Sequence, residues 1–448
     1  MEKWTTDWLN TQPVYYNEKT HKISYRFNDV VEWDDFTLHK EGLFNYLRYG
    51  YSLFEQTPVQ DVKFLRYQSQ IQKVLLPDGK TQILIEQLED PCISRLGEVS
   101  STDKVMERLR AHVREFEKST NPAKRFLLPL SGGYDSRMLA HLIEDKSRID
   151  AFTYGITYKG SDCLELKTAR AVSKKLNISW FPMMLDRYNE SYFLKKNFSA
   201  FGSVIPIHAN YHMELYEKII SERGSNYIAL SGSVGDWWAG QKVSLNGQIK
   251  SFDDFGRLFF NHGICGVRDY IKLKPDFEIS RSQFEKNKEL LKEDKYRRLF
   301  MARGRIALAS YIFRTAQLYF ETYTPYYDFE LAMSMLNLPE KEARDRAWLK
   351  TYYANQGLDF SHVRGNTRNM QDIVSVKRSL SADDCLQRKY FEGIYDQARI
   401  DWINKTLLEI KGAWTLRFLS EKKRLEYFQA YNEWTALKPI EMLLTFKL

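Results

Sequence analysis

The most constraining feature of this sequence is a short apolar run that breaks at a glycine pair and continues as a helical pattern. Phe126–Leu130 is typical of a buried strand, and Ser131-Gly132-Gly133 ends it. An apolar helix face with Met138 and Leu142 follows. Glycines let the backbone approach an anion closely, and a helix N-terminus directs unpaired N–H groups at the same spot. The stretch therefore predicts a strand–loop–helix unit that binds phosphate.

A carboxylate lies inside this turn. Asp135 would repel bound phosphates unless a cation bridged them, and Mg²⁺ is the natural bridge because it binds carboxylate and phosphate oxygens together. The Walker spacing is absent, since no lysine follows the glycines at the required offset. The loop therefore indicates a phosphate and Mg²⁺ site of a different kind.

Strand and helix patterns alternate beyond this loop. Strand patterns at 126–130, 150–155 and 178–183 are separated by helix patterns at 134–145 and 162–176. This alternation is typical of a parallel, doubly wound sheet that binds its ligand at the carboxyl ends of the strands. We therefore predict an α/β fold with the glycine loop at that edge.

Two later strand ends fit the same plan. Tyr154-Gly155 ends the second strand, where we expect backbone close to a nucleotide base. Tyr227–Leu230 is a strand pattern, and Ser231-Gly232, Asp236 and Gly240 follow it. Two glycine loops on one sheet, each with a carboxylate, can hold a metal between them together with a triphosphate.

The first 96 residues or so have a different pattern. Apolar and polar positions alternate in Lys22–Phe27, in parts of Val62–Val74 and in Thr81–Leu88, and Pro77-Asp78-Gly79 is typical of a hairpin turn. Glu41–Tyr51 carries the apolar face of a short helix. We therefore predict a small β-rich region ahead of the α/β fold.

Composition excludes several classes of protein. The chain has 448 residues, of which 43% are hydrophobic and 28% charged, as expected for globular proteins. The net charge of +8 forms no basic stripe, so nucleic acid is not an expected partner. No apolar run approaches the roughly 20 residues of a membrane-spanning helix, and we expect a cytoplasmic protein without membrane insertion. Four widely separated cysteines indicate reduced thiols: Cys92, Cys163, Cys265 and Cys385.

Three motifs, in order, resemble the synthetase domain of asparagine synthetase-like PP-loop ATP pyrophosphatases. They are Ser131–Arg137, Leu230–Gly240, and Glu321-x-x-x-Pro325-Tyr-Tyr-Asp328 followed by Leu338-Pro339. The first looks closest to asparagine synthase-related proteins of bacterial surface-polysaccharide clusters. The resemblance implies a PP-loop (adenine nucleotide alpha hydrolase-like) sheet with a helical C-terminal part. The resemblance also implies that residues 97–448 form an ATP-dependent ligase domain.

Residues 1–96 resemble the second half of the glutaminase-like domain of the same enzymes. The matching pieces are Tyr46-Leu47, Thr57-Pro58 and Val62–Leu65. Those glutaminases attack with an N-terminal cysteine, but residue 2 is Glu2 and the first cysteine is Cys92. We expect a truncated domain that does not hydrolyse glutamine.

The resemblance also implies a mechanism. A substrate carboxylate attacks the α phosphorus of ATP, pyrophosphate leaves, and an amine displaces AMP to form an amide. Mg²⁺ would be held by Asp135 and Asp236. The residues expected to bind ATP are Leu130, Ser131, Gly132, Gly133, Asp135, Ser136, Tyr154, Gly155, Ser231 and Gly232.

Catalytic candidates come from the third motif and the segment after it. Glu321 would be the general base, and Lys377 and Arg368, with Arg364 beside them, would supply a cation for the adenylate. The alternative for each cation is a solvated surface charge, and for Glu321 a pairing role near a helix end.

Three departures from the family pattern concern the acceptor half of the site. Ser233 replaces a Glu or Tyr, Trp237 an acid, and Tyr323 an arginine. We interpret this as an altered carboxylate or amine substrate. His208 and His212 have a spacing that can hold zinc, but the HExxH glutamate is missing, so we expect a helix-face pair without function.

Several alternatives stay open at this point. The carboxylate would belong to a small molecule or sugar, and the nitrogen would come from ammonia, a separate glutaminase or a primary amine. The same residues also suit a macrolactam or β-lactam cyclase with an intramolecular amine. A third alternative is a degenerate subunit that binds nucleotide and scaffolds a partner.

Overall fold

The computed structural model describes residues 2–155, 164–184, 190–205, 211–240, 249–260, 268–364, 380–409 and 420–445. The strands are β1 (Lys3–Thr5), β2 (Tyr15–Asn17), β3 (Ile23–Ser24), β4 (Val62–Phe64), β5 (Ser69–Leu75), β6 (Thr81–Gln87), β7 (Arg125–Pro129), β8 (Ile149–Gly155), β9 (Ser179–Met184), β10 (Tyr227–Leu230) and β11 (Glu321–Tyr323). The helices are α1 (Lys40–Tyr49), α2 (Thr102–Ser119), α3 (Tyr134–Leu142), α4 (Leu164–Leu176), α5 (Glu190–Phe201), α6 (Tyr211–Arg223), α7 (Gly235–Trp238), α8 (Phe252–Arg257), α9 (Glu278–Asn287), α10 (Asp294–Gln317), α11 (Phe329–Leu336), α12 (Glu340–Ala343), α13 (Ala347–Asn355), α14 (Gln397–Glu409) and α15 (Glu421–Thr445).

A parallel five-stranded sheet forms the centre of the α/β fold, in the order β11-β10-β7-β8-β9. The chain runs outward from β7 through β8 to β9 and then returns to the other side of β7 for β10 and β11. The strand order therefore reverses between β7 and β10. Ligands of doubly wound sheets bind at such a switch point, outside the carboxyl ends of the strands.

Helices cover both faces of this sheet, as predicted. On one face Phe126, Leu128 and Ile228 pack with side chains of α2, α3 and α4. On the other face Leu127 and Ala229 pack with side chains of α6 and α10. The alternation arises because successive side chains of a strand point to opposite faces, and strands buried on both faces are almost wholly apolar.

The fifth strand, β11, is not expected from the sequence. The stretch from Phe320 to Asp328 looks like a mere interruption of a helical pattern, because three residues are too few to show alternation. Its pairing with β10, Ile228 opposite Glu321 and Leu230 opposite Tyr323, makes it a strand. Tertiary contact therefore decides this element.

The N-terminal region holds two three-stranded antiparallel sheets, β1-β5-β6 and β3-β2-β4. The β5–β6 hairpin turns as predicted at Gly79, whose φ of +81° suits glycine. Helix α1 begins after His39, whose ring Nδ1 accepts a hydrogen bond from the Gly42 N–H at 3.1 Å, and ends at Gly50 with φ of +84°. The expected helix near residues 41–51 is confirmed.

Buried contacts fasten this region to the rest of the chain. The Trp8 indole packs against Trp238 and donates a hydrogen bond to the Tyr327 carbonyl at 3.1 Å. The Arg303 guanidinium on α10 forms hydrogen bonds of 2.6 and 2.9 Å to the Asp90 carboxylate and one of 3.0 Å to the Trp8 carbonyl. The domain boundary near residue 96 stays a prediction, since the cores of the two parts are continuous.

The described C-terminal residues are helical, as predicted. Helices α14 and α15 pack together, and Trp434 is buried with its indole N–H donating to the Asp384 carbonyl at 2.9 Å. Among the residues that the structure describes, no helix has the length and apolar character needed to cross a membrane.

The Asp90–Arg303 pair allows a test of how the N-terminal region is held. Replacing Asp90 by Asn should lower the free energy of unfolding by about 3 kcal/mol, because it leaves the Arg303 charge buried without its partner. Burial opposes ionisation of Asp90, but the hydrogen bonds and charge of Arg303 outweigh it and hold its pKa below 3.8. The difference between wild type and variant should thus be complete above that pH and shrink as pH falls below it.

Denaturant unfolding at pH 7 and pH 3 would measure this difference. The matched control is Asp78→Asn, since Asp78 pairs with Lys80 at 3.4 Å on the exposed hairpin, and its loss should change stability by no more than about 0.5 kcal/mol. Equal stability of Asp90→Asn and wild type at pH 7 would contradict the interpretation.

Candidate functional site

Two loops meet at the switch point of the parallel sheet. Leu130 extends β7 by donating its N–H to the Phe152 carbonyl at 2.8 Å, and Ser131 begins the first loop. Ser231 follows β10 and donates its N–H to the Tyr323 carbonyl at 2.9 Å. Both loops therefore leave the carboxyl edge of adjacent strands, and the predicted juxtaposition is confirmed.

Two serines shape the first loop from within. The Ser131 hydroxyl accepts a hydrogen bond from the Gly133 N–H at 3.0 Å, and the Ser131 N–H donates to the Ser136 hydroxyl at 3.2 Å. Gly133 is the N-cap of α3, and no side chain caps this helix start. Because Gly133 has no side chain, it cannot itself cap the first-turn N–H groups of α3, and such a helix start favours an anion.

An arginine holds the first loop from behind. The Arg137 guanidinium donates to the Gly132 carbonyl at 2.8 Å and to the Leu358 carbonyl at 2.9 Å. It lies over the rings of Tyr134 and Tyr353, and its burial lowers its pKa. Arg137 is therefore a support for the loop, not one of the groups around the cavity.

Glycines of the second loop make room for the carboxylate of the first. A Cβ at Gly232 would lie 2.8 Å from the Asp135 Cβ, and a Cβ at Gly235 would lie 2.7 Å from the Asp135 Oδ1. Contacts this short are not tolerated between real side chains. The two loops interlock only because these positions lack side chains, and the position of Asp135 depends on both.

The second loop also contains a strained residue. Val234 has φ of +61°, a left-handed conformation that a β-branched residue rarely adopts. Its side chain is buried in the cluster that includes Trp238. Such strain costs on the order of 1–3 kcal/mol and persists where the surroundings impose it, commonly at functional sites. Here it precedes α7 and thereby sets the position of Asp236.

The two carboxylates perturb each other. Burial raises the pKa of Asp135 to about 8, and the nearby charge of Asp236 adds to the shift, while the charge of Arg346 opposes it. A carboxylate that resists ionisation beside another carboxylate is stabilised by a cation. The pair therefore has the electrostatic character of a site for a divalent ion.

The donor set agrees with Mg²⁺. Within the described ranges, no group of three or more His, Cys, Asp or Glu side chains could enclose a metal. Mg²⁺ does not need such a cage, because one or two carboxylates with substrate phosphates and waters complete its octahedron. Asp135 and Asp236 thus fit an ion that arrives with a phosphate ligand.

A cavity of about 300 Å³ lies in front of both loops. This is at the lower end of the volumes usual for small-molecule sites. The predicted residues that line it are Leu130, Ser131, Asp135, Ser136, Tyr154, Ser231, Gly232 and Asp236. Gly132 packs against Thr168, and Gly133 does not line the cavity. The sequence therefore predicts much of the cavity lining.

Sequence reasoning misses most of the other residues that line the cavity. They include Thr153, Glu165, His212 and Tyr216, and the rings of Tyr154 and His212 lie 5.4 Å apart in an edge-on contact. The sequence predicts a helix-face histidine without function at 212, but this residue is 4% exposed and faces the cavity. His208, the other member of that pair, lies outside the described residues. No local pattern distinguishes a cavity-lining position on α6 from a core position.

The three departures from the family pattern are not equivalent. Ser233 lines the cavity and donates its hydroxyl to the Ala309 carbonyl at 3.0 Å. Tyr323 stacks on Phe116 of α2 with ring centroids 3.6 Å apart, and its hydroxyl donates to the His112 carbonyl at 3.2 Å. Trp237 packs at the edge of the core. Only Ser233 therefore bears directly on what the cavity accepts.

The structure does not bring Glu321 to the cavity. Its carboxylate lies 3.0 Å from the Lys124 ammonium, and the side chain is 66% exposed. It begins β11 opposite Ile228, whereas the loops follow the other ends of the strands. We therefore do not carry Glu321 into the proposed site as a base.

Of the three basic residues predicted to stabilise the adenylate, the structure describes one. Arg368 and Lys377 lie outside the described residues. Arg364 is exposed, and its guanidinium donates to the Ser361 carbonyl at 2.6 Å. None of the three predicted cations is placed at the cavity by the described part of the chain.

An arginine that the sequence does not indicate lies close to the carboxylates. The charge of Arg346 acts on Asp135, and its guanidinium carbon is 4.8 Å from the Tyr134 ring centroid. Its Nε is buried and has no hydrogen-bond partner among the described residues. A left-handed backbone, with φ of +59°, places it before α13. No motif marks this position, since only tertiary contacts bring the segment to the first loop.

Two solved structures that match this chain are distant from it. An NMN synthetase from Francisella tularensis matches with a TM-score of 0.22 and 21% identity over 30% of this chain, which spans 58% of that protein. An NH3-dependent NAD synthetase from Campylobacter jejuni subsp. jejuni NCTC 11168, in complex with the nitrate ion, matches with a TM-score of 0.22 and 16% identity, over 54% of this chain and 95% of that one. No protein-family model and no curated protein matches the sequence. Similarity at this level carries no argument, so function has to be inferred from the site itself.

Proposed function

We propose that this protein is an ATP-dependent ligase that forms an amide bond. In the proposed reaction a substrate carboxylate attacks the α phosphorus of ATP and pyrophosphate leaves. Ammonia or an amine then displaces AMP from the acyl-adenylate. The observation that carries the proposal is the meeting of two Ser-Gly loops, each with an aspartate, beside an uncapped helix start at the switch point. Such a site favours a polyanion together with a divalent cation.

The first loop would bind the phosphates. N–H groups at the start of α3 would donate to phosphate oxygens, and the Ser131 and Ser136 hydroxyls, 3.2 Å apart, line the cavity beside them. Because Arg137 fixes the Gly132 carbonyl, the loop keeps its shape without a ligand. Donors held in place in advance stabilise charge that develops on the leaving pyrophosphate, since they need not reorganise during the reaction.

Asp135 and Asp236 would hold Mg²⁺, which when bound neutralises charge on the transferring and leaving phosphates. The charge of Arg346, which acts on Asp135, supports a role in binding the pyrophosphate. Arginine suits this task because its planar guanidinium binds phosphate oxygens in pairs and keeps its charge when buried.

The aromatic rings beside the cavity would bind the base of the nucleotide. Tyr154 ends β8 with its ring against Tyr211 and His212, with centroid distances of 5.4 Å to each. Flat rings beside a strand end suit a purine, which has large apolar faces. Burial raises the pKa of Tyr154 well above its ordinary value, so its hydroxyl stays neutral and serves as a hydrogen-bond donor.

For the carboxylate and the amine we propose only the chemical class of each substrate. A small-molecule or sugar carboxylate and an amine donor fit the altered position Ser233, and surface-polysaccharide or secondary-metabolite biosynthesis in the cytoplasm is the setting we favour. Ammonia would come from solution or from a separate glutaminase, or a primary amine would take its place.

The proposed reaction predicts that AMP and pyrophosphate appear together. Protein with Mg²⁺ and ATP should release both in the presence of the correct carboxylate, tested across uronic acids and amino acids with a panel of amines. The variant Asp236→Asn should lower pyrophosphate release by about a hundredfold or more, because the metal loses a carboxylate facing the departing charge. Absence of AMP and pyrophosphate across the whole panel would refute the proposed function.

The variant Asp135→Asn should have opposite effects on the stability of the protein and on its binding of ATP with Mg²⁺. Folding at pH 7 works against the raised pKa of Asp135, and asparagine has no carboxyl group to titrate, so the variant should raise the free energy of unfolding of the ligand-free protein at pH 7 by about 1–3 kcal/mol. The same change should abolish binding of ATP with Mg²⁺ in calorimetry. Glu144→Gln is the control, since Glu144 pairs with Arg114 on the exposed surface and is 60% exposed. Wild-type affinity in Asp135→Asn would count against the metal site.

The role of Arg346 has its own test. Arg346→Met should lower pyrophosphate release by about a hundredfold, and Arg346→Lys should recover part of it because the charge is kept. Arg344→Met is the matched control, two residues away, where the arginine pairs with Glu340 and is 59% exposed. Equal losses in the two Met variants would show that Arg346 has no special role.

A further inference from the structure

The strand β6 forms one edge of its sheet, and none of its residues lines the cavity. It pairs with β5 at seven consecutive positions, from Thr81 opposite Leu75 to Gln87 opposite Ser69. On its other side, no strand of the described residues pairs with it. The backbone N–H and C=O groups on that side are therefore available to another strand.

This edge lacks the usual protection against pairing. Leu84 and Ile85 at its centre are 50% and 45% exposed, and Leu75 beside its start is 73% exposed. Edge strands commonly carry proline, lysine or a bulge that blocks a neighbour. The edge strand β9 of the parallel sheet contains Pro182, whereas β6 contains no proline and no lysine. Its exposed aliphatic side chains are thus unusual for a strand that remains at the edge of a sheet.

An apolar row across the sheet stops abruptly at this edge. Trp4 of β1 lies opposite Ile71 of β5, and Ile71 lies opposite Ile85 of β6. Trp4 and Ile71 belong to one buried cluster, against which Ile83 also packs. A further strand with an isoleucine opposite Ile85 would continue the row and remove its exposed end from water.

The sequence of β6 supplies that strand itself. In an antiparallel pairing of β6 with a second β6 about Leu84, Ile83 lies opposite Ile85, Gln82 opposite Glu86, and Leu84 opposite Leu84. Apolar residues meet apolar ones, and no like charges face each other. Such self-complementarity is what a two-fold interface requires, because each residue contacts its counterpart in both directions.

We propose that β6 pairs with β6 of a second copy of this chain about a two-fold axis at Leu84. The result is a continuous six-stranded antiparallel sheet in the order β1-β5-β6-β6-β5-β1. The interface involves none of the residues around the cavity, so it is independent of the proposed ligase function.

Charge at one position tests the register. Gln82→Glu would set a new carboxylate of each copy opposite Glu86 of the other, and the dimer dissociation constant should rise about tenfold. Gln82→Lys would set opposite charges there and should lower the constant by a similar factor. Light scattering of the full chain over a concentration series measures both. A monomeric wild type at every concentration, or shifts of the same sign in the two variants, would overturn the proposal.

A cysteine cross-link provides a second measurement that does not depend on affinity. Leu84→Cys places two thiols directly opposite, at a Cα separation of roughly 4.5–5.5 Å that a disulfide spans. Mild oxidation should therefore give a covalent dimer. Gln82→Cys is the control, because its counterpart lies about 13 Å away in this register. Cross-linking of both variants alike, or of neither, would contradict the register.

Discussion

The contact between Asp135 and the glycines of the second loop is the constraint on which the candidate site depends. Gly232 and Gly235 approach this carboxylate so closely that any side chain there would displace it. The contact ties the end of β7 to the end of β10, and so fixes where two negative groups meet. Burial and the charge of Asp236 make that meeting unfavourable until a cation is present. The fold thus maintains an electrostatically unfavourable arrangement at this point of the sheet.

Other parts of the structure hold this arrangement in place. Arg137 fixes the first loop from behind, and the left-handed Val234 turns the second loop toward the cavity. Strain and buried charge are unfavourable for folding, and the surrounding core offsets them. A site of this kind is rigid before it binds, which suits the stabilisation of charge on a leaving group.

Helix α10 connects the N-terminal region to the site. Arg303, in the first half of the helix, holds Asp90 and the Trp8 carbonyl. In the second half, the Ala309 carbonyl accepts the Ser233 hydroxyl and Ile312 lines the cavity. The helix has buried residues on nearly every side, so it belongs to the core of both parts. The N-terminal region therefore supports the geometry of the cavity.

The sequence by itself determined the strand–loop–helix units, the parallel sheet and the two loops that line the cavity, because glycine turns, buried strands and helix starts depend on neighbours in the chain. It predicted Asp135 and Asp236 from chemistry within two short loops. Only the tertiary structure decided that β11 is a strand, that Arg346 reaches the first loop and that Glu321 does not reach the cavity. These outcomes depend on which distant segments pack together, and local periodicity carries no information about such contacts.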